Sequence, residues 1–164
     1  MEILVTKNMT QKSGTKTTNS PYLITKKCRQ IILQSETLKT FHKKQCKTAF
    51  WYYFGIPKTA GFCGIASYFV YKVLKRNKFK PKIIWGDFVD KNGEPQPHCW
   101  VQLGRTIIDI TADQFGYKPI VFDIQNQRYQ PSCEMTQKAF KDRYWPLWQR
   151  PTKKKINDLS RNYW

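Results

Sequence analysis

The chain has 164 residues, 40% hydrophobic and 15% aromatic, which is enough for one real core and too little for two ordinary domains. Lys and Arg number 29 against 11 Asp and Glu, and a formal charge of +18 attracts nucleic acid, acidic protein or anionic lipid without naming which. No stretch reaches the ~20 apolar residues of a membrane span, and the cysteines at Cys28, Cys46, Cys63, Cys99 and Cys133 are widely spaced with no CxxC pair, which argues against a disulfide framework and a structural zinc site.

Residues Met1 to Lys7 hold no apolar run of signal-peptide length, so the expected setting is cytoplasmic with reduced thiols, delivery as an effector or toxin being left open. Residues 8–20 are rich in Thr, Lys, Ser, Asn and Gln, a composition that buries too little surface to offset its ordering entropy. Residues 1–20 are therefore read as a flexible polar lead-in, and 21–149 as a single domain. After the short run Ile31-Ile32-Leu33, Ser35 is a candidate N-cap with Glu36 in the first turn. Leu38, Phe41, Gln45, Ala49 and Tyr53 then recur at helical spacing, and Gly55 with Pro57 ends the pattern, which predicts a first helix. On it His42 and Cys46 stand one turn apart among lysines, a solvated face rather than a metal site.

At Gly61-Phe62-Cys63-Gly64 a glycine-flanked loop turns into an amphipathic helix running to about Arg76, with Ala66, Phe69, Val70, Val73 and Leu74 on one stripe. Helix N-termini offer unpaired N–H groups and the positive end of the dipole, which favour a thiolate and make the sulfur a nucleophile. The competing reading of Cys63 is a small buried core residue. A histidine and a carboxylate downstream decide between them.

Pro81 opens a strand-like run over Lys82–Phe88, and Asn92-Gly93 signals a turn. His98-Cys99-Trp100-Val101-Gln102-Leu103 reads as a strand, Gly104-Arg105 as a two-residue type II′ loop, and Thr106–Ile110 as its return. In that register Leu103 faces Thr106, Trp100 faces Asp109, and His98 and Asp109 project from one face as diagonal neighbours within hydrogen-bonding reach. A further strand is predicted over Pro119–Ile124, then a polar loop and the aromatic segment Tyr144–Trp148. Residues 150–164, with Arg150, Lys153, Lys154, Lys155 and Arg161 against Asp158, are read as a basic C-terminal tail or a loosely docked helix.

Cysteine catalysis needs a base for the thiol proton and a third group to fix the imidazole tautomer. Cys63, His98 and Asp109 fill those roles. Only two histidines exist, and His42 precedes Cys63 on a lysine-rich helix, so His98 is the candidate partner.

Gly61-Phe62-Cys63, His98-Cys99-Trp100-Val101-Gln102-Leu103 and Ile108-Asp109-Ile110-Thr111 together resemble the transglutaminase-like branch of the papain-type cysteine enzymes, over about residues 60–116. The resemblance implies an α+β papain-like fold, with the nucleophile at a helix start packed on an antiparallel sheet that carries His and Asp. It implies Cys63 as nucleophile, His98 as general base and acid, Asp109 as orienting carboxylate, and Gly61, Phe62, Trp100 and Thr111 as supporting residues. Two departures stand out: Asp-Ile-Thr replaces the frequent Asp-Pro-Thr, and Ile56-Pro57-Lys58 occupies the place of the papain-type oxyanion glutamine, with Gln45 a distant substitute. The Cys63 N–H is one candidate oxyanion donor and the second is unassigned.

The expected function is thioester-forming attack on an amide or other acyl carbon. Resolution by water makes the protein a peptidase or glutamine deamidase, and resolution by an amine makes it a transglutaminase-type acyltransferase. The expected partner is a protein or peptide substrate, with acidic character favoured by the charge. No metal or organic cofactor is implied. The alternative is a non-enzymatic nucleic-acid binder on the same fold, using the basic surface at Lys153, Lys154 and Lys155 with aromatic stacking.

Overall fold

A computed structural model describes residues 20–36, 62–144 and 150–162. The helix expected after Ser35, with His42, Gln45 and Cys46, lies outside them from residue 37 onward, as do Gly61, nearly all of the lead-in and the aromatic run from Trp145. The described chain is α+β, with helices preceding an antiparallel five-stranded sheet.

Helix α1 is Pro21–Gln34. Proline suits a first helical position because its missing N–H would have no partner there, and Ile24, Thr25, Cys28, Ile31 and Ile32 form the buried face. The short apolar run Ile31-Ile32-Leu33 closes α1, and Ser35 is its C-cap, with its N–H bonded to the Ile32 carbonyl at 3.3 Å. Glu36, directly after Ser35, is helical again, where the sequence predicts a helix to start. The lysines and arginine between the buried positions mask the helical period in the sequence. Helix α2, Cys63–Arg76, buries nearly its whole first two turns, and Lys75 and Arg76 sit in the last turn, where the dipole favours cations.

Strands β1 (Pro81–Val89) and β2 (Pro95–Leu103) form a hairpin whose loop is held by Asp90, which accepts the N–H groups of Asn92 and Glu94. Strand β3 (Thr106–Asp109) returns through Gly104-Arg105, and Leu103 pairs with Thr106 in the register read from the sequence. Gly104 has φ +60° while Arg105 keeps a negative φ, as a type II′ loop requires. A one-turn 3-10 helix, Ala112–Phe115, leads to β4 (Val121–Ile124).

The stretch expected to be a polar loop holds β5 (Tyr129–Met135) and helix α3 (Gln137–Tyr144). Only the two end residues of β5 are buried, and Pro131 is tolerated because this is an edge strand, so alternation of apolar and polar residues was absent from its sequence. Of the two readings of the C-terminal segment, a basic tail or a docked helix, the structure has the helix: α4 (Arg150–Asn162) buries Ile156, Leu159 and Ser160 and is tied to α2 by Lys72 on the Asn157 side chain and Arg76 on the Ser160 carbonyl. Apolar spacing of three residues outweighs its many lysines.

The strand order is β4-β3-β2-β1-β5, so consecutive strands β4 and β5 occupy opposite edges of a five-stranded sheet. A flat sheet of that width separates its edges by ~19 Å, whereas residues 125–128 span at most ~18 Å even when fully extended. This loop is turned, not extended: Gln125 has φ +50°, and Arg128 bonds back to the carbonyls of Val89 and Asp90. The sheet therefore curls towards a barrel. Its outer face, with Ile83, Cys99, Val101 and Ile108, packs with α1 and α2, while Ile84, Phe88, Trp100, Ile107, Val121 and Tyr129 fill the inside. Among the described residues no helix is long and apolar enough to cross a membrane.

Candidate active site

Cys63 is the first residue of α2, half-buried, preceded by buried Phe62, whose carbonyl accepts the Ala66 N–H at 2.9 Å. Among the described residues no side chain caps this helix start. Cys28, Cys63, Cys99 and Cys133 are all free thiols, and burial pushes the Cys28 thiol far above its usual range.

His98 lies on β2 opposite Gly86, fully buried, with its ring edge-on to Phe115 at 4.9 Å and flanked by Phe88, Trp100 and Tyr129. Its Nε2 is 2.7 Å from Asp109 Oδ2. The Cys63 side chain lies close enough to His98 to act on the imidazole by charge and hydrogen bonding. Because Nε2 is committed to Asp109, Nδ1 is the nitrogen left for the sulfur, and the Gln114 amide Nε2 stands 3.3 Å from that same Nδ1. Cys63 packs against the outer core, and the imidazole lies in the inner one. Their contact joins the two.

Asp109 is almost wholly buried, and its carboxylate is saturated with donors. Oδ2 accepts the Tyr129 hydroxyl at 2.7 Å besides His98, and Oδ1 accepts the Thr111 N–H at 2.7 Å and the Thr111 hydroxyl at 2.9 Å. Burial alone would raise its pKa, but the adjacent imidazolium and these hydrogen bonds outweigh it and hold the carboxyl below its usual range. Burial likewise opposes charge on His98. The Asp109 charge and hydrogen bond, with a smaller contribution from Cys63, overcome it and raise the imidazole from 6.5 to about 10. The Tyr129 hydroxyl is pushed up by burial and by the Asp109 charge, so it stays a donor. The arrangement keeps a proton on an imidazole between a carboxylate and a sulfur, where it can stabilise a thiolate and later protonate a leaving group.

Of the residues singled out in the sequence, Cys63, His98, Asp109 and Thr111 come together, Trp100 flanks the imidazole, and Phe62 is buried in the outer core against which Cys63 packs. Lys154 is exposed and Lys155 half-buried on α4, while the Lys153 side chain lies outside the described residues. Tyr129 and Gln114 were missed. Tyr129 sits on a strand with no visible alternation and meets Asp109 only because the sheet curls, and Gln114 is brought in by a one-turn helix that sequence spacing does not reveal. Another missed group is Arg29 of α1, which forms a two-nitrogen pair with Asp113, the nearer contact at 2.7 Å, and also bonds the carbonyls of Ile110 and Pro119. It clamps the 3-10 turn beside His98 to the helical layer.

Trp100 Nε1 is buried and has no hydrogen-bond partner among the described residues. An unmet donor of this kind costs ~1–3 kcal/mol. The indole is nevertheless held tightly: a Cβ on Gly86 would lie 2.9 Å from its Cη2. Among the described residues no three His, Cys, Asp or Glu side chains cluster as metal ligands. No protein-family model, curated protein or solved structure matches the chain.

Proposed function

We propose that the protein is a cysteine-triad enzyme with a papain-like, transglutaminase-like fold that forms a thioester with an amide or other acyl substrate. The observation that carries this reading is His98 hydrogen-bonded on one side to a donor-saturated Asp109, with Cys63 at a helix start close on the other. The thiolate attacks the carbonyl carbon, and the tetrahedral oxyanion collapses as His98 protonates the departing amine. The thioester then passes its acyl group to water, with His98 taking the water proton, or to an amine. Hydrolysis, by a peptidase or glutamine deamidase, is favoured over transamidation because water needs no second binding site. The substrate is a protein or peptide.

A second reading, a nucleic-acid binder on the same fold, draws on the charge. Lys72 has its pKa held down by desolvation and by the charges of Arg76, Lys141 and Arg161 around it, a cluster suited to phosphate contact. Such a binder makes no use of a half-buried Cys63 beside a buried His98-Asp109 pair, which is why the enzyme is preferred.

Mass spectrometry of the protein after iodoacetamide, and after incubation with glutamine-containing peptides, tests the proposal. The expected results are preferential labelling of Cys63, dependent on His98, and an acyl adduct on Cys63 or a deamidated, cleaved or cross-linked peptide. Labelling of Cys63 no faster than of exposed Cys133, unchanged by His98→Ala, overturns it.

A further inference from the structure

We infer that Lys72, Arg76, Lys141 and Arg161 form a binding site for a compact anion carrying two or more phosphate groups, at the junction of α2, α3 and α4. The site is independent of the catalytic reading, since Lys72 lies about 14 Å along α2 from Cys63. It also goes beyond a general affinity for nucleic acid, because it names one place and one shape of ligand.

Contacts between the three helices bring the four cations together. Lys72 and Arg76 stand one turn apart on α2 and both reach α4, Lys72 through the Asn157 side chain and Arg76 through the Ser160 carbonyl. Arg161 comes one turn after Asn157, so it shares the α4 face that Lys72 meets. Helix α3 is fixed to the same spot by Phe140, which stacks on Tyr68 at 5.1 Å, and Lys72 Nζ lies 5.7 Å from the centre of that tyrosine ring. Lys141 directly follows Phe140. Desolvation, and then the charges of Arg76, Lys141 and Arg161, hold the Lys72 amine below its usual range, so all three cations act on it at once.

Like charges gathered this way cost stability unless an anion offsets them. A desolvated cation ordinarily has an acid beside it, yet among the described residues Lys72 and Arg76 bond neutral oxygens, those of an amide and a backbone carbonyl. Docking of α4 does not require the whole cluster, because Ile156 and Leu159 already bury its apolar side. Arg76 and Arg161 are exposed, which leaves the cluster open to a ligand. Guanidinium groups hold phosphate oxygens two at a time, and lysines add point charge. A nucleic-acid strand is followed by a stripe of charge along its backbone. Four cations converging on one lysine suit phosphates that are themselves clustered.

Thermal denaturation of the full-length protein at constant ionic strength tests the site, with inorganic tripolyphosphate, orthophosphate or a single-stranded oligonucleotide at equal phosphate concentration. A ligand held by the folded state alone raises Tm, and tripolyphosphate should raise it most. Arg161→Gln should weaken tripolyphosphate binding about tenfold, as loss of one charge-assisted contact does. Its Tm without ligand should stay the same or rise, because repulsion is relieved. Lys141→Gln should behave alike and is the variant read if Arg161→Gln unfolds. Removing the same charge from the strand connections, by Lys91→Gln or Arg105→Gln, should leave binding unchanged. Equal weakening by those control variants assigns the effect to net surface charge and overturns the inference. So does an oligonucleotide that stabilises as well as tripolyphosphate, or the absence of any rise in Tm. Intact binding in Arg161→Gln and Lys141→Gln, with a lower Tm without ligand, makes the cluster a clasp between helices and overturns it too. None of these readouts uses Cys63, so their failure leaves the triad reading standing.

Discussion

Tyr129 on β5 donates a hydrogen bond to Asp109 on β3 at 2.7 Å, although β2 and β1 lie between those strands in the sheet. Only a curled sheet brings the two together, and the carboxylate that holds His98 therefore depends on the curl of the sheet. Tyr129→Phe, which keeps the ring in the inner core and removes only the hydroxyl, should lower stability by ~1–3 kcal/mol through loss of a hydrogen bond to a buried charge. Thermal denaturation should show a lower Tm, and alkylation of Cys63 should slow by less than in His98→Ala.

The pH dependence of stability has a defined sign. His98 has its pKa raised above 6.5 in the folded protein, so the stability it contributes is fully present below 6.5 and is lost as pH rises towards its folded value. Asp109 has its pKa lowered, so its contribution is present above its ordinary 3.8 and is lost as pH falls through the folded value. Both describe one ion pair and are not added. In a Cys63→Ala background, which removes overlapping thiol titration, urea unfolding should show stability falling by up to ~1.4 kcal/mol per pH unit above pH ~6.5. Adding Asp109→Asn should flatten that slope.

Gly86 is required by close approach rather than by an unusual φ. A Cβ there would meet the Gln130 carbonyl oxygen at 2.1 Å and the Trp100 ring at 2.9 Å, at the bulge where β5 joins β1. Backbone cannot swing aside as a side-chain tip can. Gly86→Ala should cost about 3 kcal/mol or more, read as a lower urea midpoint, and should slow His98-dependent alkylation because Gly86 pairs with His98.

Thiol reactivity near neutral pH should be ordered by environment. Cys28 and Cys99 are fully buried, so Cys63 competes with exposed Cys133 among the described cysteines. Peptide mapping after brief iodoacetamide treatment should find Cys63 modified first, and His98→Ala should bring its rate down to that of Cys133 or below.

Charge reversal should separate the surface from the chemistry. Changing Lys153, Lys154 and Lys155 of α4 to Glu should weaken binding to a polyanion such as heparin or single-stranded DNA and flatten its salt dependence, since fewer counterions are released. Acylation by an uncharged ester should hardly change. Cys63→Ala should abolish acylation and retain polyanion binding.

Local patterns carried much of this protein. The stripe after Cys63, the strand character of β1, β2 and β3, and the Gly104-Arg105 loop were legible because each depends on neighbours within a few residues. Loop length then set the register, and the register set the diagonal placement of His98 and Asp109. What the chain's spacing could not reveal is everything that depends on curvature. Strand β5 is an edge strand with almost no buried alternation, α1 hides its apolar face among basic residues, and α4 reads as either a charged tail or a docked helix until a core is present to receive Ile156 and Leu159. Tyr129, Gln114 and Arg29 reach the site from elements far apart in sequence, through a sheet curled by the short connection at residues 125–128 and a one-turn helix at Ala112–Phe115. Their positions follow from packing of the whole sheet, which no window of sequence contains.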